Sequence, residues 1–512
     1  MKANLLAIGE FLVMGLDLLV DLPFRCVSTG RTCEGYENSK GKLSPSTQKN
    51  TPPSLESFPL VKTSGTLEER RAFHFFLSEA VPNIAGVFEP TFWTHGVIQL
   101  AQTEPAIRYA VQALSAIYAQ GTERAINQVP GMNDFALTSY NKAIRALLIR
   151  DSSANERKLI TLVTCVLFVC FEFMRGEVVA AVGHITGGLK LLNEWQPSQS
   201  SAKPDESSIS PYSDLCDGLT SMFMRLQLQA AFSTHASPSS WHSIRNPKKW
   251  DDEEILSFCS FTEARNKLSA IGNECVSTIL PFIAAKYARQ IDMKLIIRRM
   301  RLEKKLRTWR RTFESSIAIK KSTSTTQRAA AVNLLLMFCI SMTIWAAVCF
   351  DIEEMNYDNC KEEYEDIVAL AKNVMDARII GNGFQFEVGI IPHLHNAGLK
   401  CRFPDLRQEI IDILSSKHWR EGIFDSKVSC RLIELTKRIE EENVDPDTGL
   451  PIETARIHFV DQKHCIGRSP ENGDRKVVFY LKPHGPYGPW LAREELLNEN
   501  ISVARVVNMH SN

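Results

Sequence analysis

A chain of 512 residues with 44% hydrophobic side chains has enough apolar material for one large core or roughly two to four average domains, which excludes a disordered protein. Lysine plus arginine and aspartate plus glutamate number 59 each, so no bulk charge draws the chain to nucleic acid or to an acidic membrane. The 13 cysteines are scattered singly, several in apolar helical contexts such as Cys165, Cys170, Cys339 and Cys349. That pattern fits buried reduced thiols in a nuclear or cytosolic compartment rather than a disulfide framework.

Within the apolar N-terminal segment, residues 1–25, Leu5 to Asp21 form an apolar run interrupted by Glu10, Asp17 and Asp21. Only Lys2 precedes it, and the acids argue against a signal peptide. They also disfavour a membrane span, because each central acid costs about 2.5–3.5 kcal/mol on insertion. Residues 26–36 carry Cys26 and Cys33 with Gly30, Gly35 and Tyr36 around them. Residues 37–65 are rich in Ser, Pro, Lys and Thr without apolar periodicity and read as a disordered, flexible linker; no heptad repeat follows.

Thr66-Leu-Glu-Glu69 has capping-box spacing, and Phe73, Phe76, Leu77 and Ala80 follow on one helical face, so order is expected from residue 66. Pro105 opens a further amphipathic helix through Ile107, Val111, Leu114 and Tyr118. Residues 159–171 are apolar all round, and 178–192 repeat apolar residues at three- and four-residue steps. After a Ser/Pro-rich insertion at 197–213, helices are expected at about 260–315, 328–350, 355–378, 382–398, 403–416 and 425–441. Residues 456–460 and 476–481 alternate or run β-branched around Asn472-Gly473, which predicts a small C-terminal β-hairpin. The fold class is therefore all-α: a large helical domain at 66–445 and an extension at 446–512.

Four features invite a chemical reading. Residues 329–350 are uncharged over a membrane-spanning length, but soluble amphipathic helices surround them, so a buried core helix is expected. Eight basic residues crowd one helix, from Arg298 and Arg299 to Arg310 and Arg311; Leu302, Leu306, Trp309 and Phe313 step along it too, so the charges read as its solvated side rather than a DNA or import-receptor contact. His393, His395 and Cys401 are close in sequence, yet histidines two apart diverge on a helix and no fourth ligand follows, so no metal is expected there. Close helix packing is expected to explain the glycines around His184. No catalytic or nucleotide-binding fingerprint is present, so no enzyme is expected.

The Cys26 to Tyr36 stretch resembles the closing third of the fungal binuclear zinc cluster, in which six thiolates hold two zinc ions and place a short helix at DNA. Cys26 and Cys33 match its fifth and sixth cysteines, while Pro23 stands where the fourth would be and neither a cysteine nor a basic stretch lies upstream. Two thiolates cannot saturate two tetrahedral zincs, so Cys26 and Cys33 read as remnant metal ligands, with zinc expected in the intact family module and none in this chain. Residues 1–25 then read as a segment joined in mid-cluster, through an alternative start, a splice variant or a mis-drawn gene.

The helical region resembles the fungal-specific transcription factor domain. The likeness rests on the run from Phe75 to Phe92-Trp93, on Glu104-Pro-Ala-Ile-Arg108, and on His184-Ile-Thr-Gly-Gly. It rests also on Phe386-Glu-Val-Gly-Ile-Ile-Pro392, Lys400-Cys-Arg402 and Arg420-Glu-Gly-Ile-Phe-Asp425. The resemblance implies a nuclear regulator of RNA polymerase II transcription that keeps its regulatory domain. Its partners would be promoter DNA for an intact isoform and protein co-regulators, with no membrane. The alternative is a co-regulator that captures proteins without binding DNA.

Overall fold

A computed structural model describes residues 65–88, 91–121, 132–149, 154–194, 213–232, 257–287, 291–319, 325–377, 383–461, 476–497 and 505–508. Cys26, Cys33, the linker and the Asn472-Gly473 turn lie outside these residues. Leu67–Asn512 forms one compact unit.

The chain enters through α1 (Leu67–Phe75), which runs on through a π turn at Phe76–Ala80 into Val81–Ile84. A second π turn, Phe92–Gly96, leads into α2 (Val97–Thr103). Then come α3 (Pro105–Gly121), α4 (Met132–Ile149), α5 (Ala154–Arg175), α6 (Val178–Glu194), α7 (Ser213–Phe232) and α8 (Phe261–Tyr287). They are followed by α9 (Met293–Ile319), α10 (Thr326–Val348) and α11 (Lys361–Asp376). From α5 to α11 each helix packs against the next, an array that explains why apolar residues recur at helical spacing throughout.

The expected single helix at 260–315 is two: α8 ends at Tyr287, and Asp292 starts α9 by accepting the Lys294 N–H at 3.0 Å. α10 is uncharged along most of its length because it has no solvent side to decorate. Met337, Ile340 and Ile344 enter one core with α11, and Leu335, Cys339 and Met342 enter another with α8 and α9. It is long and apolar enough to cross a membrane, with a mean hydropathy of 2.1, yet it is a core helix, as the sequence predicts. On α9, Leu302, Leu306, Trp309 and Phe313 are buried, each contributing about 1.5–3 kcal/mol of burial free energy.

The expected helix at 382–398 is corrected. Gly383, at φ 106°, begins strand β1 (Gly383–Gln385), and an irregular strap at 386–389, bent at Phe386 and Glu387, follows before α12 (Ile391–Lys400). β1 pairs in parallel with β2 (Trp419–Glu421), which pairs antiparallel with β3 (Phe424–Asp425). Strands of two or three residues are too short to show alternation in sequence. Between and after them lie α13 (Pro404–Ser415) and α14 (Ser426–Glu440), the latter capped by Asp425.

The expected C-terminal hairpin is there, but it is half of a four-stranded antiparallel sheet. β4 (Ile457–Asp461), β5 (Lys476–Leu481), β6 (Leu491–Leu496) and β7 (Arg505–Asn508) pair in chain order. Buried charge ties this sheet to the helices. Glu440, fully buried, accepts from Arg402 at 2.8 Å, from Arg407 at 2.7 Å and from the Ile457 N–H at 2.9 Å. Lys400 donates to Glu354 at 2.7 Å and to the carbonyl of His458 at 2.9 Å. Arg456 grips Asp358 with two bonds of 2.8 and 2.7 Å.

Candidate functional site: a cavity closed by a charged strap

A cavity of about 80 Å³ opens where α7, α8, α10 and the start of α12 meet. Its apolar wall comes from Leu228, Leu334, Leu335, Phe338 and Met342. Its polar wall is Arg225, Gln229, Arg265, Glu387, His393 and Asn396. The carboxylate of Glu387 on the strap accepts from Arg225 of α7 at 3.2 Å and from Arg265 of α8 at 2.5 Å. All three are buried. Burial alone would push the Glu387 carboxyl up, but the two guanidiniums overcome it and hold it below the usual carboxylate range. The Arg265 guanidinium also lies 4.1 Å from the centre of the Phe88 ring.

The strap is held from behind by a second buried carboxylate. Glu421 of β2 accepts the N–H groups of Gly389 at 2.9 Å, Ile390 at 3.2 Å and Ile391 at 2.8 Å, and the Trp419 indole N–H at 2.9 Å. The Ile390 and Ile391 N–H groups are orphan donors at the start of α12. Position 389 has to be glycine, since a Cβ there would sit 2.6 Å from a Glu421 oxygen. Three residues earlier in the motif, Phe386 lies edge-on to Trp93 with ring centroids 5.2 Å apart. Arg420, beside Glu421, donates to the carbonyl of Phe173 at 2.7 Å. The sequence stretch around Trp93, almost 300 residues before those around Phe386 and Arg420, therefore meets both of them at this strap.

His393 reaches the cavity from α12, with its Nδ1 3.0 Å from the Ser341 hydroxyl. That spacing matches a nucleophile and its base. However, burial pushes the imidazole down to about 4, its ring faces Phe338, and among the described residues no carboxylate orients it. His395 points elsewhere, toward Phe424, and Cys401 is buried past the end of α12, so the three metal candidates do not converge. No group of three or more metal-ligating side chains gathers among the described residues. Cys26 and Cys33, the remnant metal ligands expected from the sequence, lie outside the described residues.

His184 accepts or donates to Tyr140 at 2.9 Å. Of the glycines beside it, Gly188 does pack closely, against the Phe223 ring, but a Cβ added at Gly183 or Gly187 would meet no neighbouring element within 4 Å, so close packing explains only one of the three. The basic residues of α9 are a solvated face: Arg299 pairs with Glu303, Lys305 with Glu274 and Arg310 with Glu314. The sequence reading missed the Arg225, Arg265 and Glu387 cluster. The available signal was an arginine set inside the apolar run Met222-Phe-Met-Arg-Leu.

Residues 71–352, more than half of the chain, match the fungal specific transcription factor domain, and the chain belongs to that family. It is similar to the aspercryptin biosynthesis cluster-specific transcription regulator atnN of Emericella nidulans, 28% identical over 34% of this chain and 31% of that protein. It is also similar to the transcription regulator lscL of Purpureocillium lilacinum, 22% identical over 52% of this chain and 64% of that protein. The chain thus spans less than two thirds of either relative. No solved structure matches it.

Proposed function

We propose that this protein is a nuclear regulator of RNA polymerase II transcription in which the helical domain is the regulatory part. The observation that carries this reading is the family match over residues 71–352, supported by two relatives named as transcription regulators. The cavity supports a regulatory role, because a small effector entering it meets the charged groups that tie α7, α8 and the strap together. The test is to fuse the full chain to a heterologous DNA-binding module and measure reporter transcript and nuclear enrichment. The expected result is a changed transcript level from a nuclear fusion protein; an unchanged transcript, or exclusion from the nucleus, overturns the proposal.

A second reading is favoured by the two-cysteine remnant: a co-regulator that acts through proteins without reading DNA. Incubating the 512-residue protein with a promoter pool, with and without zinc, separates the two. Tight, salt-sensitive, zinc-dependent binding selects the DNA reader. Partner capture that survives removal of residues 1–65 selects the co-regulator.

A further inference from the structure

The outer face of α9 carries more than solvated charge. Met293, Ile297 and Met300 are 64%, 44% and 63% exposed, and they step by four and three residues. The same steps continue through Lys304, Arg307 and Arg311, all exposed. At about 100° per residue these six side chains fall within one stripe roughly 80° wide and about 27 Å long. The opposite face, Leu302, Leu306, Trp309 and Phe313, is buried against the domain, so the stripe faces outward.

The charges at the far end of the stripe are unspent. Arg299 and Arg310 hold Glu303 and Glu314 on an adjacent face, and Lys305 reaches across to Glu274 on α8. Among the described residues Lys304, Arg307 and Arg311 have no ion pair. A helix that merely faces water would place polar side chains at 293, 297 and 300. Here two methionines and an isoleucine stand there, and methionine is the side chain best able to repack around an incoming apolar group.

We propose that this stripe docks an acidic amphipathic helix of a partner protein. Apolar side chains of the partner at i, i+3 or i+4, and i+7 would cover Met293, Ile297 and Met300. Carboxylates one to two turns further on would pair with Lys304, Arg307 and Arg311. Charge complementarity selects an acidic occupant, and the apolar half selects protein over DNA, since a phosphate backbone offers nothing to two methionines and an isoleucine. The proposal concerns the surface itself and does not depend on the transcriptional reading.

The test uses the full chain and a synthetic 20-residue helical peptide with leucines at that spacing followed by three glutamates, read by fluorescence anisotropy. A charge-matched peptide with the leucines replaced by serines and a short DNA duplex serve as competitors. The expected result is binding of the leucine peptide that weakens at least tenfold in I297S/M300S and at least tenfold in R307E/R311E. Because all four positions face outward, circular dichroism and melting temperature should match the parent, which separates lost docking from lost folding. Absence of binding, equal binding of the serine peptide, indifference to I297S/M300S, or displacement by the duplex at lower concentration than the peptide overturns it, the last two in favour of a nucleic-acid contact.

Discussion

Replacing Glu387 by alanine tests the strap directly. Glu387 is 6% exposed, and its carboxylate is shared by Arg225 and Arg265, themselves 8% and 5% exposed. Removing one member of a buried ionic cluster leaves the remaining charge without its counter-ion, which costs about 3–5 kcal/mol. Glu387→Gln keeps the shape and one acceptor oxygen and loses the charge, so a smaller loss of about 1.5–3 kcal/mol is expected. Urea unfolding followed by tryptophan fluorescence suits the measurement, because Trp93, Trp309 and Trp419 are all fully buried. In an Arg265→Met background the same Glu387→Ala change should cost at least about 1 kcal/mol less, since the two residues are in contact. A loss below about 1 kcal/mol for Glu387→Ala, or strict additivity of the two changes, would refute the assignment of Glu387 as the counter-ion that fastens α7 and α8 to the strap.

Further outcomes follow from the same structure. Burial pushes His393, His395 and His458 down to about 4 from an ordinary 6.5, so they stay neutral in the fold while the unfolded chain protonates. The stability they contribute is complete above pH 6.5 and lost as pH falls toward 4, roughly 3 kcal/mol for each full shift, and a urea midpoint that stays flat across that window at constant ionic strength contradicts it. Burial would raise the Glu440 carboxyl, but Arg402 and Arg407 hold it at about 2, so its contribution is present above pH 4.5 and disappears as pH falls toward 2, with acid unfolding of Glu440→Gln as the check. Gly188→Ala places a Cβ 2.1 Å from the Phe223 ring and should cost about 1–3 kcal/mol by melting, whereas Gly183→Ala, with nothing within 4 Å, should gain up to about 1 kcal/mol. Arg456→Met removes the two bonds to Asp358 and should cost about 3 kcal/mol and speed proteolysis within β4 to β6, measured by timed digestion.

Helices were legible wherever one face repeats. The buried stripe of α9 from Leu302 to Phe313 and the apolar length of α10 both follow from spacing and composition alone. What escaped was structure without repetition. β1, β2 and β3 are held by pairing partners, not by alternation, and β6 reads as Arg493-Glu-Glu, which looks helical until Glu495 is seen buried against Arg438 and Arg493. An arginine in an apolar run marked one member of the cavity cluster, but its partners could not be paired from sequence because Arg225 and Arg265 lie 162 and 122 residues from Glu387. The family-like stretches around Trp93, Phe386 and Arg420 were legible as strings; that they touch one another is a property of the fold alone.

The matched family segment stops at residue 352, yet Glu387, Gly389 and His393 all come later. A fragment expressed to that boundary would sever the cavity from its polar lid. It would also strip the flank of α10 that Met337, Ile340 and Ile344 present to α11 and its neighbours, turning a core into a sticky exterior. A soluble piece should therefore run at least to Leu497, and insolubility of shorter pieces should be read as an amputated interior, not as an unstable protein.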